Sequence, residues 1–379
     1  MNPKERETLQ RQLQKFAERY PDWEFKELYY ETEELRTNFQ IAALGGSGPA
    51  LIHGPSDNVG PMVDLGVLQP MEELLDTAFI NTFIQTPINS LTWMNGHLYQ
   101  VSDQIGNHLC LVYNKKFIKT PPKTMNELIE LGRKYVKDDD RDGFPDQYTL
   151  AWNFVEPYFF YPFFSGYGGK IFDENLTPQL NTEATVKAIK LILRMRNEEK
   201  IIPKECNQDL AQSMFKEDRA LMVIDGPWSW SGYRDAGVDF GVARIPLIDE
   251  TGLYPSPMVS PRGYSMNPNL TDEQRKITVE LLKYLTSRDV EIEIALNNVV
   301  IPSNQEAFNS QEIKSNEILQ ASIDQMLVGQ PLPVVTELRA VWDGMRKGYQ
   351  AVFNGSLTPE EAAKSMQDET VKRIRDLRQ

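Results

Sequence analysis

The stretch Ala220–Trp230, Ala-Leu-Met-Val-Ile-Asp-Gly-Pro-Trp-Ser-Trp, decides the fold prediction for this chain. Leu221–Ile224 is a short apolar run of strand length that contains two β-branched residues. Gly226-Pro227 ends this run, because glycine adopts unusual backbone angles and proline has no amide hydrogen to donate. Trp228 and Trp230 follow at the end of the predicted strand, which is where open α/β sheets hold ligands. The stretch therefore predicts two ligand-facing indoles, with two core tryptophans as the alternative.

Length and charge limit the classes of protein that this chain can represent. The 379 residues carry a formal net charge of −14, and 41% of them are hydrophobic. Such a length predicts two domains, or three, with sizeable cores. The acidic balance disfavours a nucleic-acid partner and attraction to an anionic membrane surface. No apolar run is long enough for a membrane-spanning helix, and residues 1–7 lack the apolar segment of a signal peptide. We expect a chain that is either cytoplasmic or a processed or shortened form of an exported protein.

Signatures of catalysis are sparse. The chain has three histidines and two cysteines, which disfavours histidine-based metal sites, catalytic triads and a disulfide framework. It contains no Gly-x-Ser-x-Gly, phosphate-loop or Gly-x-Gly-x-x-Gly motif. Asp57 and Glu156 could form the carboxylate pair of a glycoside hydrolase, but with 54 acidic residues such pairs can be found anywhere. We therefore expect a binding protein, with no enzyme activity and no cofactor for activity.

Helical and strand-like segments alternate along the chain, which predicts an α/β fold with mostly parallel, helix-covered sheets. Near the N-terminus we expect a helix over residues 3–20, a strand over Trp23–Tyr30, a helix over residues 33–43 and a strand over Ala50–Gly54. Later, Asn95-Gly96 predicts a hairpin turn. The alternation begins with a helix, so the strand that should precede it is missing from this sequence.

An acidic segment, Asp138–Asp146, matches the first nine positions of a calcium-binding loop. Acidic side chains stand at positions 1, 3, 5 and 9, and Gly143 at position 6 allows the sharp turn. Position 12 is Thr149 instead of glutamate, and the alternative is a solvated acidic turn. We expect a structural Ca²⁺ ion. Its predicted ligands are Asp138, Asp140, Asp142, Phe144 (through its backbone carbonyl) and Asp146.

Aromatic residues are concentrated in Trp152–Tyr167, and most of them should belong to a core. Glu156 and Tyr158, at the start of a predicted helix, are the two residues of this region that we expect to face a cleft. Trp342 and Arg346 are four residues apart and share one helix face. The alternative for this pair is one buried tryptophan and one solvated arginine. Flat apolar rings suit the face of a sugar, whose C–H groups are apolar and whose rim carries hydroxyls.

Several stretches carry a resemblance to a known family. They are Gly66–Met71, Leu109–Lys116 with Pro121–Thr124, Glu156–Tyr158, Ala220–Trp230 and Trp342–Arg346. In this order they resemble the maltose-type extracellular solute-binding proteins of sugar ABC transporters. The resemblance implies a two-lobed periplasmic-binding-protein fold, each lobe a mostly parallel sheet flanked by helices, with a hinge. The implied N-terminal lobe is 1–106 plus 261–305, without its first strand, and the C-terminal lobe is 107–260 plus 306–379.

The resemblance also implies a function. The chain would be the substrate-binding component of a carbohydrate ABC importer that binds a di- or oligosaccharide in the interlobe cleft and delivers it to the membrane permease. It would be a monomer in the periplasm or at the cell surface, and any lipid-anchoring cysteine would lie upstream of Met1. The alternatives are a carbohydrate-active hydrolase, a binding protein for a non-sugar compatible solute, and a sensor subunit that presents its closed form to a signalling partner.

Site residues follow from the same resemblance. The family's stacking aromatics map onto Tyr158, Trp228 and Trp342, and we expect separate halves of the molecule to carry these rings. The family's polar contacts map onto Asp57, Asn58 and Arg346. The full set of candidate ligand-binding residues is His53, Asp57, Asn58, Asn107, Glu156, Tyr158, Trp228, Trp230, Gly263, Tyr264, Trp342 and Arg346. Asn107 replaces an acid of the maltose-binding relative, and Gly54 replaces a tryptophan, so the identity of the sugar stays open.

Overall fold

The structure is a computed structural model that describes residues 3–86, 88–138 and 145–378. The chain forms two compact units. Unit 1 comprises Met1–Asn107, Val259–Ile323 and Pro331–Val335. Unit 2 comprises His108–Met258, Asp324–Gln330 and Thr336–Gln379.

The strands are short and are distributed over both units. In chain order they are β1 (Leu51–Pro55), β2 (Trp93–Met94), β3 (His97–Leu98), β4 (Val101–Asn107), β5 (Cys110–Asn114), β6 (Tyr148–Ala151), β7 (Ala220–Asp225), β8 (Phe240–Ala243), β9 (Met258–Met266), β10 (Ile301–Pro302) and β11 (Gln330–Pro331). The predicted hairpin at Asn95-Gly96 is confirmed, since β2 and β3 flank it and both turn residues have positive φ angles.

Helices account for most of the remaining regular structure. They are α1 (Pro3–Ala17), α2 (Thr32–Leu44), α3 (Val59–Asp64), α4 (Thr77–Ile80), α5 (Met125–Tyr135), α6 (Pro157–Gly166), α7 (Glu183–Leu193), α8 (Gln208–Lys216), α9 (Pro227–Asp235), α10 (Asp272–Leu285), α11 (Arg288–Asn298), α12 (Gln305–Phe308), α13 (Gln311–Lys314), α14 (Glu317–Met326), α15 (Glu337–Phe353) and α16 (Pro359–Leu377). Short turns of 3₁₀ or π geometry cover Ser56–Asn58, Asn89–Thr92 and Arg194–Glu198. Within the described residues, no helix combines the length and the apolarity needed to cross a bilayer.

The sheet of unit 1 differs from the mostly parallel sheet expected from the sequence. Its strand order is β1-β9-β4-β10, with β11 also paired to β9, and the pairs β1–β9, β4–β9 and β4–β10 are antiparallel. The long strand β9 lies between β1 and β4, so spatial neighbours are not successive strands of a β-α-β unit. The strand expected over Trp23–Tyr30 is not assigned, because these residues join no ladder.

The sheet of unit 2 is mixed. Its order is β6-β7-β5-β8, in which β6 and β7 are parallel while β5 is antiparallel to both β7 and β8. All six residues of β7 are buried, as expected for a central strand. Helix α8 packs on β7, and α15 packs on both α6 and α16. Helices α6, α9 and α15 all belong to unit 2.

The division of the chain also differs from the expected one after residue 305. The resemblance implied that residues 306–379 belong to the second lobe, whereas residues 306–323 belong to unit 1. The reason is packing: α12 and α13 lie against α11, a helix of unit 1. The core of unit 1 includes two large apolar clusters. The first is Met71, Leu75, Phe83, Leu98, Val101, Tyr264, Met266, Leu282 and Leu285, and the second is Phe39, Ala43, Ile52, Val59, Met62, Val67 and Leu68.

Candidate functional site

The turn from β7 into α9 fixes the position of Trp228. The strand ends at Asp225, and α9 begins at Pro227, a position where the missing amide hydrogen and the fixed φ of proline suit a helix start. A Cβ atom at Gly226 would lie 2.6 Å from Cε3 of Trp228 and closer still to Cζ3 and Cη2. The indole therefore lies directly over the backbone of Gly226, and only glycine leaves room for it.

Three aromatic side chains that we call the aromatic cluster, Tyr158, Trp228 and Trp342, meet in unit 2. The ring centroid of Tyr158 lies 6.4 Å from that of Trp228 and 6.3 Å from that of Trp342. All three side chains are half-buried, and the Tyr158 hydroxyl donates a hydrogen bond of 3.2 Å to the carbonyl of Met258. The expectation that separate halves carry these rings is wrong, because the chain returns to unit 2 at Thr336, before α15 begins.

Trp230 does not join the aromatic cluster. Its side chain is fully buried, so the expected ligand contact is wrong. The reason is the early start of α9: residues 228 and 230 are two positions apart on a helix, and side chains at this spacing point to opposite faces. Phe159, which the sequence-based candidates do not include, lies instead beside the cluster, with its ring centroid 6.5 Å from that of Trp228.

Four charged side chains that we call the charge cluster, Glu156, Arg339, Asp343 and Arg346, each lie within four residues of Tyr158 or Trp342 along the chain. Nη2 of Arg346 donates to Glu156 at 2.9 Å, and Nη1 donates to Asp343 at 3.0 Å. Nε of Arg339 lies 3.8 Å from the carboxylate of Asp343. Burial lowers the pKa of Arg346, but hydrogen bonds and charges from Glu156 and Asp343 outweigh it and raise that pKa. The guanidinium is therefore a cation held by two carboxylates, one helical turn after Trp342 on α15.

A buried carboxylate supports the turn that carries Trp228. Asp225 is 1% exposed and accepts hydrogen bonds from the Gly226 amide (2.8 Å), the Tyr233 hydroxyl (2.6 Å) and the Gln208 side chain (3.1 Å to each oxygen). Burial raises the pKa of Asp225, although these hydrogen bonds oppose the shift. Asp225 thus ties the end of β7 to α8 and α9 at the cost of a carboxylate buried away from water.

This buried carboxylate predicts a pH dependence of stability. Because the pKa of Asp225 is raised above its unfolded value of about 3.9, its contribution to stability is fully present below that value and is lost as the pH rises through the folded pKa. Asp225→Asn removes this titration. As the pH rises from 4 towards neutral, the natural chain loses this contribution and the variant does not. We therefore expect the free energy of unfolding of the variant to increase relative to that of the natural chain. Urea unfolding of both proteins across this pH range measures the difference. If the free energies of unfolding of the two proteins change in parallel with pH, the raised pKa of Asp225 is contradicted.

Other candidate residues lie in unit 1, along the pairing of β1 with β9. His53 pairs with Tyr264, and Gly54 pairs with Gly263. Nε2 of His53 lies 3.0 and 3.1 Å from the two carboxylate oxygens of Asp103, and its ring centroid is 4.7 Å from that of Tyr264. His53 is therefore held by a buried acid that the sequence analysis did not single out, since nothing in the pattern around Asp103 distinguishes it.

Tyr264 and Gly263 have structural explanations. Tyr264 is 5% exposed and belongs to the first apolar cluster of unit 1, where burial raises the pKa of its hydroxyl well above the usual value. This placement contradicts a ligand-facing role for its side chain. A Cβ atom at Gly263 would lie 2.5 Å from Cα of Ser102 and 2.7 Å from the carbonyl carbon of Val101, so glycine is needed here for the close approach of β4.

The polar candidates of unit 1 lie at strand ends. Asp57 and Asn58 follow β1 in the turn that precedes α3, where Asp57 is half-buried and Asn58 is 7% exposed. Asn107 ends β4, and its side-chain amide donates to the Ser260 hydroxyl at 3.3 Å. These three residues belong to unit 1, whereas Glu156, Arg346 and the aromatic cluster belong to unit 2.

The ends of the acidic segment lie next to each other. The amide of Asp146 donates to the carbonyl of Lys137 at 2.7 Å, and Lys137 also forms a bridge with Gln147. Asp138 and Asp146 therefore flank the base of one loop. Asp140, Asp142 and Phe144 lie outside the described residues.

Comparison with known proteins decides the family. The profile of the family described as bacterial extracellular solute-binding protein matches residues 12–321. The chain belongs to this family. Among characterised solute-binding proteins, the maltotriose-binding protein of Pyrococcus abyssi is 26% identical over 93% of this chain and 76% of its own length. The maltodextrin-binding protein MdxE of Bacillus subtilis is 28% identical over 80% of this chain and 74% of its own length.

Solved structures of solute-binding proteins agree with the fold. The maltose/maltodextrin-binding domain MalE from Bdellovibrio bacteriovorus, bound to maltotriose, is 45% identical with a TM-score of 0.93, covering 99% of this chain and 98% of its own. The Thermus thermophilus maltotriose binding protein is 22% identical with a TM-score of 0.88 and the same coverage, which shows the fold alone. The two-lobed α/β fold and the family resemblance inferred from the sequence are therefore confirmed.

Proposed function

We propose that this solute-binding protein is the substrate-binding component of a carbohydrate ABC importer and that its ligand is a short α-linked glucose oligomer. One observation carries the proposal: Tyr158 lies between two half-buried indoles in unit 2. A relative that is 45% identical was solved with maltotriose, and curated relatives are named for maltotriose or maltodextrin binding. The aromatic cluster supplies the flat apolar surface that the face of a glucose ring needs.

The chemistry of such a site divides between rings and charges. Aromatic faces contact the C–H groups of the sugar and exclude water, which gives most of the affinity. Hydroxyl groups both donate and accept hydrogen bonds, so they can pair with the carboxylate of Glu156 and with the free N–H groups of Arg346. Charge-assisted hydrogen bonds of this kind orient the sugar and distinguish it from an apolar ligand of similar size.

The family to which this binding protein belongs supports a proposal for its setting. We place it outside the cytoplasm, in the periplasm or at the cell surface, where it acts as a monomer and delivers the sugar to a membrane permease. Relatives from Streptococcus pneumoniae are described as solute-binding lipoproteins of a maltooligosaccharide ABC transporter. Nucleic acid is not among its proposed partners, because the chain carries a net charge of −14.

Catalysis is not part of the proposal. The carboxylate of Glu156 is paired with Arg346, which suits an orienting role better than proton transfer. Incubation of the protein with maltotriose, followed by chromatography of the sugars, tests this point. We expect intact trisaccharide, and cleavage products would favour the hydrolase alternative.

Substitution of Trp228 tests the proposed function directly. Trp228→Ala should weaken maltotriose binding by about 1–3 kcal/mol, because it removes one ring of the aromatic cluster. Trp230→Phe is the matched control, since Trp230 is a fully buried tryptophan on the same helix. Titration calorimetry should show near-natural affinity for the control. Equal affinity of the Trp228 variant and the natural protein would contradict the assignment, and binding of a betaine instead of any sugar in a thermal-shift panel would favour the compatible-solute alternative.

We also propose that the acidic loop Asp138–Asp146 binds a structural Ca²⁺ ion. Support comes from the spacing of its acidic residues and from the bridge at its base. Addition of Ca²⁺ to chelator-treated protein should raise the melting temperature by several degrees, as binding to the folded state alone does. Asp142→Asn should abolish this rise, and an equal rise with the variant would refute the site.

A further inference from the structure

We propose that Asp343 makes the site selective for neutral sugars against acidic ones. This inference rests on the proposed function and concerns the charge cluster beside Trp342. Asp343 follows Trp342 on α15, and its carboxylate binds Arg346 at 3.0 Å while Arg339 lies 3.8 Å away. The stripe formed by residues 339, 343 and 346 has helical spacing, so these side chains share one face.

The charges of the cluster balance. Glu156 and Asp343 supply two carboxylates, and Arg339 and Arg346 supply two guanidinium groups. Arg346 is engaged on both terminal nitrogens by different carboxylates. An arginine beside a sugar site would otherwise be a receptor for the carboxylate of a uronic acid, with which it forms bidentate hydrogen bonds.

Asp343 changes this chemistry in two ways. A sugar carboxylate that approaches Arg346 is repelled by the carboxylates of Glu156 and Asp343. It can bind the guanidinium only by displacing one of them, which breaks an ion pair. A neutral hydroxyl does not face this penalty, because it can donate to either carboxylate and accept from the remaining N–H groups. Asp343 also holds Arg346 in place before the sugar arrives, which lowers the entropic cost of binding.

Asp343 and Arg346 are partly exposed, so a substitution of Asp343 can change the charge without disturbing a packed core. Side-chain exposure is 31% for Asp343 and 34% for Arg346, so Asp343→Asn alters charge with little change in volume or buried surface. Asp368→Asn is the matched control. Asp368 pairs with Lys364 four residues away on α16, and its substitution removes the same unit of charge from an exposed ion pair.

The experiment compares two ligands by titration calorimetry at low and high salt. One is maltotriose, and the other is maltotriose oxidised at C6 of every unit to the uronic acid. For the natural chain we expect affinity for the oxidised sugar to be at least about 100-fold weaker than for maltotriose. Asp343→Asn should reduce the ratio of the affinity for maltotriose to that for the oxidised sugar by about tenfold or more, chiefly at low salt. Asp343→Glu and Asp368→Asn should leave this ratio unchanged.

The outcomes separate the inference from the proposed function. If the natural chain binds maltotriose but the ratio is unchanged in Asp343→Asn, the selectivity role is overturned and the sugar-binding function stands. A narrowing of the same size in Asp368→Asn also overturns it, because the effect would then come from overall charge. If the folded natural chain binds no maltotriose, the proposed function fails and the inference fails with it.

Discussion

Gly226→Ala is expected to reduce sugar affinity more than removal of the Trp228 ring does. The added Cβ would overlap the indole, lying 2.6 Å from Cε3 and closer to two other ring atoms. Because the backbone of β7 and α9 holds residue 226, the indole must move instead, out of its present position 6.4 Å from the ring of Tyr158. The displaced ring can no longer contact the sugar from its natural position and must occupy other space at the site, so we expect a loss of about 3 kcal/mol, or over 100-fold.

Gly232→Ala provides the control for this experiment. Gly232 lies in the same helix, α9, and a Cβ there would meet only Nζ of Lys216, at 3.8 Å. Its replacement should leave maltotriose binding intact and should slightly favour the helix, because alanine has the higher helix propensity. Circular dichroism would verify that both variants fold. Natural affinity in folded Gly226→Ala would show that the position of the indole does not matter for binding.

Gly263→Ala should produce the largest loss of stability among the substitutions considered. The new Cβ would lie 2.5 Å from Cα of Ser102 and 2.7 Å from the carbonyl carbon of Val101. These are backbone atoms of β4, so no side-chain rotation relieves the overlap, and the pairing of β9 with β4 must open. We expect a destabilisation of about 3–5 kcal/mol, at the upper end for a single methyl group.

Urea unfolding and amide hydrogen exchange would measure this effect. Exchange should accelerate in β4 and β9, the two strands forced apart. Gly45→Ala is the control in the same unit, because Gly45 has an ordinary φ of −79° and a Cβ there would make only van der Waals contacts of 3.4 Å or more. It should change stability by less than about 0.5 kcal/mol. An equally small change in the free energy of unfolding for Gly263→Ala would contradict the close approach of β9 to β4 at this residue.

Local patterns in the sequence predicted much of the fold. Thr271–Gln274 and Thr358–Glu361 each have the sequence signature of a helix cap, and in the structure they form complete capping boxes that open α10 and α16. The apolar run before Gly226 is the central strand β7. Such signals are local, because a cap or a buried strand depends on residues within one or two turns. The direction in which two strands pair depends on residues far apart in the sequence. Local patterns therefore did not predict the antiparallel pairing of β9 with β1 and β4.

The same distinction applies to the site. The sequence pointed to Tyr158, Trp228, Trp342, Glu156 and Arg346, which the structure brings together in unit 2. Trp230 was assigned wrongly because the helical start at Pro227 was not recognised.

The roles of several other residues were not predicted from the sequence. Asp103 and Asp225 are buried acids that each have a partner remote in sequence, His53 for Asp103 and Gln208 for Asp225. Asp343 had a signal that was overlooked, since it stands three residues before Arg346 on a helix. Gly226 was recognised only as a strand terminator, although its lack of a side chain also makes room for Trp228.

A crystal structure of the chain with bound maltotriose would show whether the aromatic cluster contacts the sugar. We expect a glucose ring lying face-on against at least one ring of the aromatic cluster in unit 2, with hydroxyl groups within hydrogen-bond distance of Glu156 or Arg346. Maltotriose bound at another place, with Tyr158, Trp228 and Trp342 all free of sugar, would contradict it.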